Sequence, residues 1–176
     1  MEPVSLKDKR IIEKQLRRIP RGLLGIERRC HYGYPQVVTV YPLIEGKPFP
    51  TIFWLTCPFL AREIDRLEAE GWIVRMEVKL RADKGLALRL QEAHKAYIAE
   101  RQRLLSAEDR AFLKEAGMMK GLLEKGIGGT ADFSRVKCLH LHVAHALARE
   151  NPIGELALQH LQQHTCPSEE VICEAF

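Results

Sequence analysis

Apolar residues recur at helical spacing through much of the chain and predict amphipathic helices. The first covers 6–18, with Ser5 as its N-cap and Pro20 beyond its end. A second begins at Pro58, because proline is favoured at the first position of a helix, and it ends at Gly71. Three more are predicted over 83–105, from a capping box at Ser106 to about Ala116, and from Asn151 to about His164.

Short runs of β-branched and aromatic residues predict strands near 36–41 and 51–56, and a weaker alternation over 72–78 allows a third. The first two runs are apolar at nearly every position. We therefore expect burial on both faces, or one face in an interface such as that of a homodimer. Together the patterns predict an α+β fold, in which a small antiparallel sheet packs against a mainly helical remainder.

One further apolar run, 136–147, contains a thiol and three imidazoles and predicts a central helix with Ser134 as its N-cap. At about 100° per residue, Cys138, His142 and His145 fall in one narrow sector of that helix. His140 points nearly the opposite way. The helical pattern therefore places one thiol and two imidazoles on a common face.

The predicted hairpin brings two more thiols together. In an antiparallel pair, the start of the first strand lies beside the end of the second. Cys30 precedes the first strand by six residues, and Cys57 follows the second directly. The two thiols are therefore expected at one end of the hairpin.

Thiolate and neutral imidazole are ligands that zinc and iron select. We predict a metal site with Cys30, Cys57, Cys138 and His142 as ligands and His145 as an alternate or hydrogen-bonding partner. Zinc in a mainly structural role is the first expectation, and an iron–sulfur cluster held by three thiolates and a histidine is a variant of it. In either form the protein would act as a binding or regulatory module.

A thiol-dependent enzyme is the alternative. Cys57 or Cys138 would be its nucleophile and His142 or His145 its base. The N-terminus of the helix that begins at Pro58 would favour the thiolate form of Cys57. No acid–base carboxylate is apparent beyond Glu150 and Glu155, which are candidates by proximity in sequence alone.

Composition narrows the class of protein. The 176 residues fit one domain, expected at 1–164, followed by a peripheral tail at 165–176. No signal peptide is apparent, and no run approaches the roughly 20 apolar residues that span a bilayer. We therefore expect a cytoplasmic protein without a membrane segment, whose five cysteines serve more often as ligands, catalytic thiols or core residues than in disulfides.

The net charge of +4 permits an anionic partner without requiring one. Five arginines occur within thirteen positions near the N-terminus, and such a group could hold a phosphate or a nucleic-acid backbone. Local carboxylates such as Glu27 could instead neutralise them. The arginines are Arg17, Arg18, Arg21, Arg28 and Arg29.

Three separated motifs, in this order, resemble the bacterial DUF501 family, over roughly residues 8 to 156. Because this is a family of unknown function, the resemblance implies no activity, substrate or cofactor. The motifs are Arg29-Cys30 with Gly33-Tyr34-Pro35, then Pro48-Phe49-Pro50-Thr51 with Trp54-Leu55-Thr56-Cys57-Pro58, then Val136-Lys137-Cys138-Leu139-His140 with Asn151-Pro152-Ile153-Gly154.

The resemblance places three of the five thiols, at Cys30, Cys57 and Cys138, within the family's own motifs. Cys166 and Cys173 lie beyond them. Among the histidines, His140 matches the family pattern most clearly. If the central helix starts late and 136–140 is irregular, His140 could be the ligand instead.

Overall fold

The computed structural model describes residues 1–176 and contains eight α-helices and a small antiparallel sheet, which confirms the α+β class. The helices are α1 (Leu6–Leu16), α2 (Pro58–Ala69), α3 (Trp72–Ala82), α4 (Lys84–Leu104), α5 (Ala107–Glu115), α6 (Lys120–Leu123), α7 (Leu139–Ala148) and α8 (Pro152–His160). Single 3₁₀ turns lie at Ile127–Gly129 and Ile172–Ala175. None of the helices combines the length and the apolar character that crossing a bilayer requires.

The main sheet has three antiparallel strands in the order β1-β2-β5. Its strands are β1 (Leu23–Arg29), β2 (Pro35–Val40) and β5 (Phe53–Leu55), and β3 (Leu43–Ile44) pairs with β4 (Lys47–Pro48) in a separate ribbon. All six residues of β2 are buried. Val38 packs with Ile12 of α1 on one face, and Val37 packs with Tyr97 of α4 on the other. Helices of the same chain therefore provide the predicted burial of both faces.

The prediction of a possible third strand at 72–78 is wrong, because this segment belongs to helix α3. Gly71 has φ 81°, a left-handed conformation that glycine adopts without strain, so the chain turns between α2 and α3. Met76 and Leu80 are the buried residues of α3, and their spacing of four is helical. Over a segment this short, the same residues also fit a weak alternation.

Strand β1 was not predicted, since glycine and arginines interrupt its apolar residues. Only Gly25 and Ile26 are buried in it. A Cβ on Gly25 would lie 2.2 Å from Met1 Cγ, because the N-terminal segment crosses this strand and Glu2 bridges to Ile26. The strand is thus an edge strand partly covered by the chain's own N-terminus.

Helix α7 lies between the sheet and helices α2, α4 and α8, and this position organises both histidine clusters described below. Leu139 and Val143 belong to the main core with α2 and α8 residues, while Ala144 packs on the sheet side. The first turn of α7 therefore faces α2, and its later turns are enclosed.

Residues of the C-terminal segment contact the sheet and α1. Gln36 of β2 donates a hydrogen bond from Nε2 to the His164 carbonyl at 2.7 Å. Cys173 is buried, and Gln15 of α1 donates to its Sγ at 3.3 Å. Helix α8 ends at His160, four residues before the predicted boundary.

Candidate metal centre at the start of helix α7

Helix α7 begins later than the apolar pattern predicts. Cys138 is its N-cap, with extended φ −167° and ψ 134°, and the expected N-cap Ser134 instead lies in a turn and donates to Asp132 Oδ1 at 2.6 Å. Because Cys138 is not helical, the helical wheel that grouped it with His142 does not apply. The late start brings Cys138 beside His140 instead.

Three donor groups converge at this end of α7. Cys138 Sγ lies 3.4 Å from His140 Nδ1, and the same nitrogen lies 3.3 Å from Glu68 Oε1 of α2. The three donor atoms are all within 4.8 Å of one another. No other group of three cysteine, histidine or acidic residues in the chain meets that criterion.

The neighbouring groups fix the orientation of two of these side chains. His140 Nε2 donates to the Ala61 carbonyl at 3.2 Å and lies 3.3 Å from Asp65 Oδ1, so in the neutral ring the lone pair is on Nδ1. The Leu139 backbone N–H donates to Glu68 Oε1 at 2.6 Å. The imidazole and the carboxylate are therefore both held toward the thiol.

In the absence of a bound metal, the electrostatics of the cluster favour the protonated, charged form of the His140 imidazole. The hydrogen bond with Cys138 is the largest cause that raises the pKa of His140 to about 9. Burial opposes this rise, and the negative charges of Cys138, Glu68 and Asp65 add to it. The side chains of His140 and Glu68 are each 25% exposed. The cluster is therefore accessible from solvent on one side.

The other predicted ligands do not join this group. Cys30 and Cys57 lie at the same end of the sheet: the Cys57 N–H approaches the Gln36 carbonyl at the start of β2, and the Cys30 N–H donates to the Tyr34 carbonyl just before it. The structure does not, however, assemble Cys30, Cys57, Cys138 and His142 into one set.

The sequence predicted that the helix N-terminus would lower the pKa of Cys57, and this prediction is wrong. Cys57 is the N-cap of α2, as the sequence indicates. Burial raises the pKa of its thiol to about 11, which exceeds the lowering by the backbone N–H groups of Leu60 and Phe59. The favourable helix terminus is thus outweighed by the apolar surroundings.

A second cluster occupies the enclosed side of α7, where His142 and His145 meet Asn151. The Asn151 Oδ1 accepts from the N–H groups of Ile153 (3.1 Å) and Gly154 (2.9 Å), as expected of the predicted N-cap of α8. Its amide nitrogen must therefore face the histidines, and it lies 3.1 Å from Nδ1 of each. Asn151 thus donates one hydrogen bond to each imidazole.

His94 of α4 extends this cluster. Its Nδ1 accepts from the Ile127 N–H at 3.0 Å, and its ring stands edge-on to that of His142. In all three histidines Nδ1 is an acceptor, so the ring proton is on Nε2. The Nε2 atoms of His94 and His145 are buried without a partner.

All three buried histidines are neutral near pH 7. Burial lowers the pKa of His94 and His142 to about 4 and that of His145 to about 3, and the neighbouring imidazoles add to the effect for the latter two. Their only lone-pair nitrogens already accept hydrogen bonds from the protein. These histidines are therefore buried neutral residues with their Nδ1 atoms hydrogen-bonded, and their ring nitrogens do not converge with other donor groups as those of the first cluster do.

Glu68, Asp65 and His94 were not identified from the sequence as site residues. The first two stand in a helix rich in charged residues, and His94 lies in another. Their role depends on how α2 and α4 pack against α7. The one signal that could have found the site is the late start of α7, which pairs His140 with Cys138.

The predicted anion-binding arginines are divided between two situations. Arg29 is held by Asp8 at 2.7 Å and by Glu2 at 2.8 Å, and Arg21 is held by Glu45 at 2.6 Å. These two have carboxylate partners within the chain. The other three form no ion pair within 4.0 Å: Arg17, Arg18 and Arg28.

A family model described as "Protein of unknown function (DUF501)" matches residues 26–159. The match confirms the resemblance seen in the three motifs, and it contains both histidine clusters. No curated protein and no solved structure matches the chain significantly.

Proposed function

We propose that this chain, which belongs to the DUF501 family, binds one metal ion through Glu68, Cys138 and His140 Nδ1, with zinc as the expected metal. The observation that carries the proposal is the convergence of three different donor atoms within 4.8 Å. Ordinary bond lengths in a tetrahedral zinc site would separate sulfur from nitrogen by about 3.5 Å and nitrogen from oxygen by about 3.4 Å. The corresponding contacts here are 3.4 and 3.3 Å.

The hydrogen bonds around the ligands support the proposal. A histidine that binds a metal through one nitrogen ordinarily donates its other N–H to a carbonyl or carboxylate, as His140 does to Ala61. The Leu139 N–H likewise orients the carboxylate of Glu68. Because metal ligands must be deprotonated, the ion would displace the proton that His140 otherwise retains.

Three protein ligands leave one position of a tetrahedral ion open. An open position is characteristic of catalytic rather than structural zinc, and it supplies a Lewis acid or a water of lowered pKa. The partial exposure of His140 and Glu68 is consistent with this role. The single thiol favours zinc or another divalent ion over the iron–sulfur alternative, which requires three thiolates.

A thiolate–imidazolium pair is the second candidate. The contact of 3.4 Å between Cys138 and His140, and the pKa of His140 raised to about 9, would suit a reactive thiol. In such a pair, however, the orienting carboxylate normally contacts the ring nitrogen remote from the nucleophile. Asp65 does approach that remote nitrogen, Nε2, at 3.3 Å, but its side chain is 72% exposed. The more buried Glu68 meets the same nitrogen as the thiol, which favours coordination.

Titration of the metal-free full chain with Co²⁺ tests the proposal. We expect one cobalt per chain and a thiolate-to-cobalt absorption band, lost in Cys138→Ser and retained in the control Cys166→Ser. Cys166 lies outside the family match. A wild-type protein without the band, but with rapid alkylation of Cys138 at neutral pH, would favour the thiolate–imidazolium pair and contradict metal binding.

A further inference from the structure

A cleft of about 280 Å³ opens beside the proposed metal site. His140 and Leu141 form its wall at the start of α7, and most of the remaining wall is apolar. The other lining residues are Leu16, Arg18, Phe49, Thr51, Phe53, Trp54 and Leu55. A concave apolar cleft with few polar groups is the usual form of a small-molecule site.

Arg18 supplies the one permanent charge in this cleft. Its guanidinium carbon lies 4.5 Å from the centre of the Trp54 ring, and Phe49 packs against that ring at 5.7 Å. An aromatic face holds a guanidinium in place without neutralising it. Since Arg18 forms no ion pair within 4.0 Å, its donors are free for an external anion.

A second, wider cleft of about 780 Å³ adjoins the first at Arg18. Arg18, Phe49 and Trp54 line both clefts, and the wider one also contains Arg21 and Lys47. Glu45 is its one acidic residue, and it is already paired with Arg21. Together the two clefts, called the groove below, are apolar near His140 and cationic away from it.

We propose that this groove binds a small molecule that joins an apolar ring to a phosphate or carboxylate. The anion would pair with Arg18, whose planar fork suits such groups, and the ring would lie in the apolar cleft toward His140. Binding in the groove does not require a metal. That the bound molecule is the substrate or ligand of the metal rests on the function proposed above.

Calorimetric titration of chelator-treated full-length protein tests this proposal with three probes. Phenyl phosphate carries both features, inorganic phosphate carries the anion alone, and phenol carries the ring alone. We expect phenyl phosphate to bind about tenfold or more tightly than either of the others, because a charged hydrogen-bonded contact adds to burial of the ring.

Arg18→Gln should weaken binding of phenyl phosphate about tenfold or more. The matched control is Arg62→Gln, since Arg62 also lies over an aromatic ring, that of Phe59 at 5.6 Å, and should leave the affinity unchanged. In a Trp72→Phe background the emission of Trp54, the other of the two tryptophans, should change on binding. This change locates the ligand even if one variant is unstable.

Equal affinity for phenyl phosphate and inorganic phosphate would overturn the proposal, and so would undiminished binding by Arg18→Gln or no binding at all. Because these titrations use metal-free protein, none of these results bears on metal binding. In Co²⁺-loaded protein, phenyl phosphate should shift the cobalt spectrum. Binding without that shift would contradict only the link between the groove and the metal, and the groove itself would still bind the molecule.

Discussion

The two histidine clusters on α7 contain the same side chain in opposite electrostatic situations. His140, in the first turn, has its pKa raised to about 9, chiefly by its hydrogen bond with Cys138. His145, five residues later, has its pKa lowered to about 3 by burial. One side of the helix meets acidic residues of α2, and the other meets a carboxamide and aromatic rings.

The comparison shows that the groups around an imidazole, more than its place in an apolar run, decide its charge and which of its nitrogens is free, and on the proposal above these decide whether it binds a metal. In the first cluster the lone pair of Nδ1 faces a thiol and a carboxylate. In the second, the lone pairs of His142 and His145 already accept hydrogen bonds from Asn151. The predictions below test that contrast.

The largest expected effect is a loss of folding stability in acid, caused by the three buried histidines of the enclosed cluster. In the folded chain the pKa is about 4 for His94 and His142 and about 3 for His145, below the value near 6.5 in the unfolded chain. As the pH falls, the unfolded chain therefore binds more protons than the folded chain does. The contribution of these groups is complete above about pH 6.5 and lost toward pH 4. Each group should cost roughly 2 kcal/mol by pH 4.5.

Urea unfolding at several pH values measures this loss. The three groups together should remove most of the stability of a domain of ordinary size by pH 4.5. A free energy of unfolding that stays constant from pH 6.5 to 4.5 would show that the three histidines are not buried as neutral imidazoles.

Replacing the central amide should be the next largest effect. Asn151→Ala removes an N-cap and two hydrogen bonds to buried imidazoles, at a cost of about 4 kcal/mol. Ser106→Ala is the matched control, because Ser106 caps α5 at an exposed position and should cost about 1 kcal/mol. Equal losses in the two variants would mean that Asn151 is only a helix cap.

In the open cluster, Glu68→Gln should weaken Co²⁺ binding at least about tenfold, with little change in stability. Glutamine keeps an oxygen that can accept from the Leu139 N–H but lacks the charge that a metal ion prefers. Glu70→Gln, at the exposed C-cap of the same helix, is the control and should bind normally. Identical affinities in the two variants would exclude Glu68 as a ligand.

The smallest effect should appear at alkaline pH in metal-free protein. The pKa of His140 is raised above its unfolded value, so its contribution is complete below about pH 6.5 and lost as the pH rises through about 9. The stability advantage of wild type over His140→Gln should therefore shrink by about 1 kcal/mol between pH 7 and 9.5. A constant difference would contradict the raised pKa.

Local patterns predicted much of the fold. The helices around Ser5, Pro58, Ser106 and Asn151 follow from capping residues and apolar stripes, which are encoded over short stretches. The α3 segment was mistaken for a strand because seven residues are too few to separate two periods. Strand β1 is stabilised by its antiparallel pairing with β2, and its own residues give little indication of a strand.

The site was predictable only in part. Cys138 and His140 lie within one family motif, and a late start of the helix was part of the condition under which His140 could be the ligand. The other part, an irregular 136–140, holds only up to Cys138, because Leu139 and His140 are helical. Glu68 joins them from seventy residues away, through packing of α2 against α7. Arg18 and Trp54 likewise meet only in the folded chain. Such long-range pairs leave no trace in periodicity.

X-ray absorption spectroscopy at the zinc edge of the zinc-loaded chain tests the central claim most directly. The account predicts one sulfur at about 2.3 Å, with the remaining ligands nitrogen or oxygen at about 2.0–2.2 Å. The sulfur contribution should vanish in Cys138→Ser and persist in Cys57→Ser. Two or more sulfur ligands, or a sulfur contribution that survives Cys138→Ser, would contradict a centre built from Glu68, Cys138 and His140.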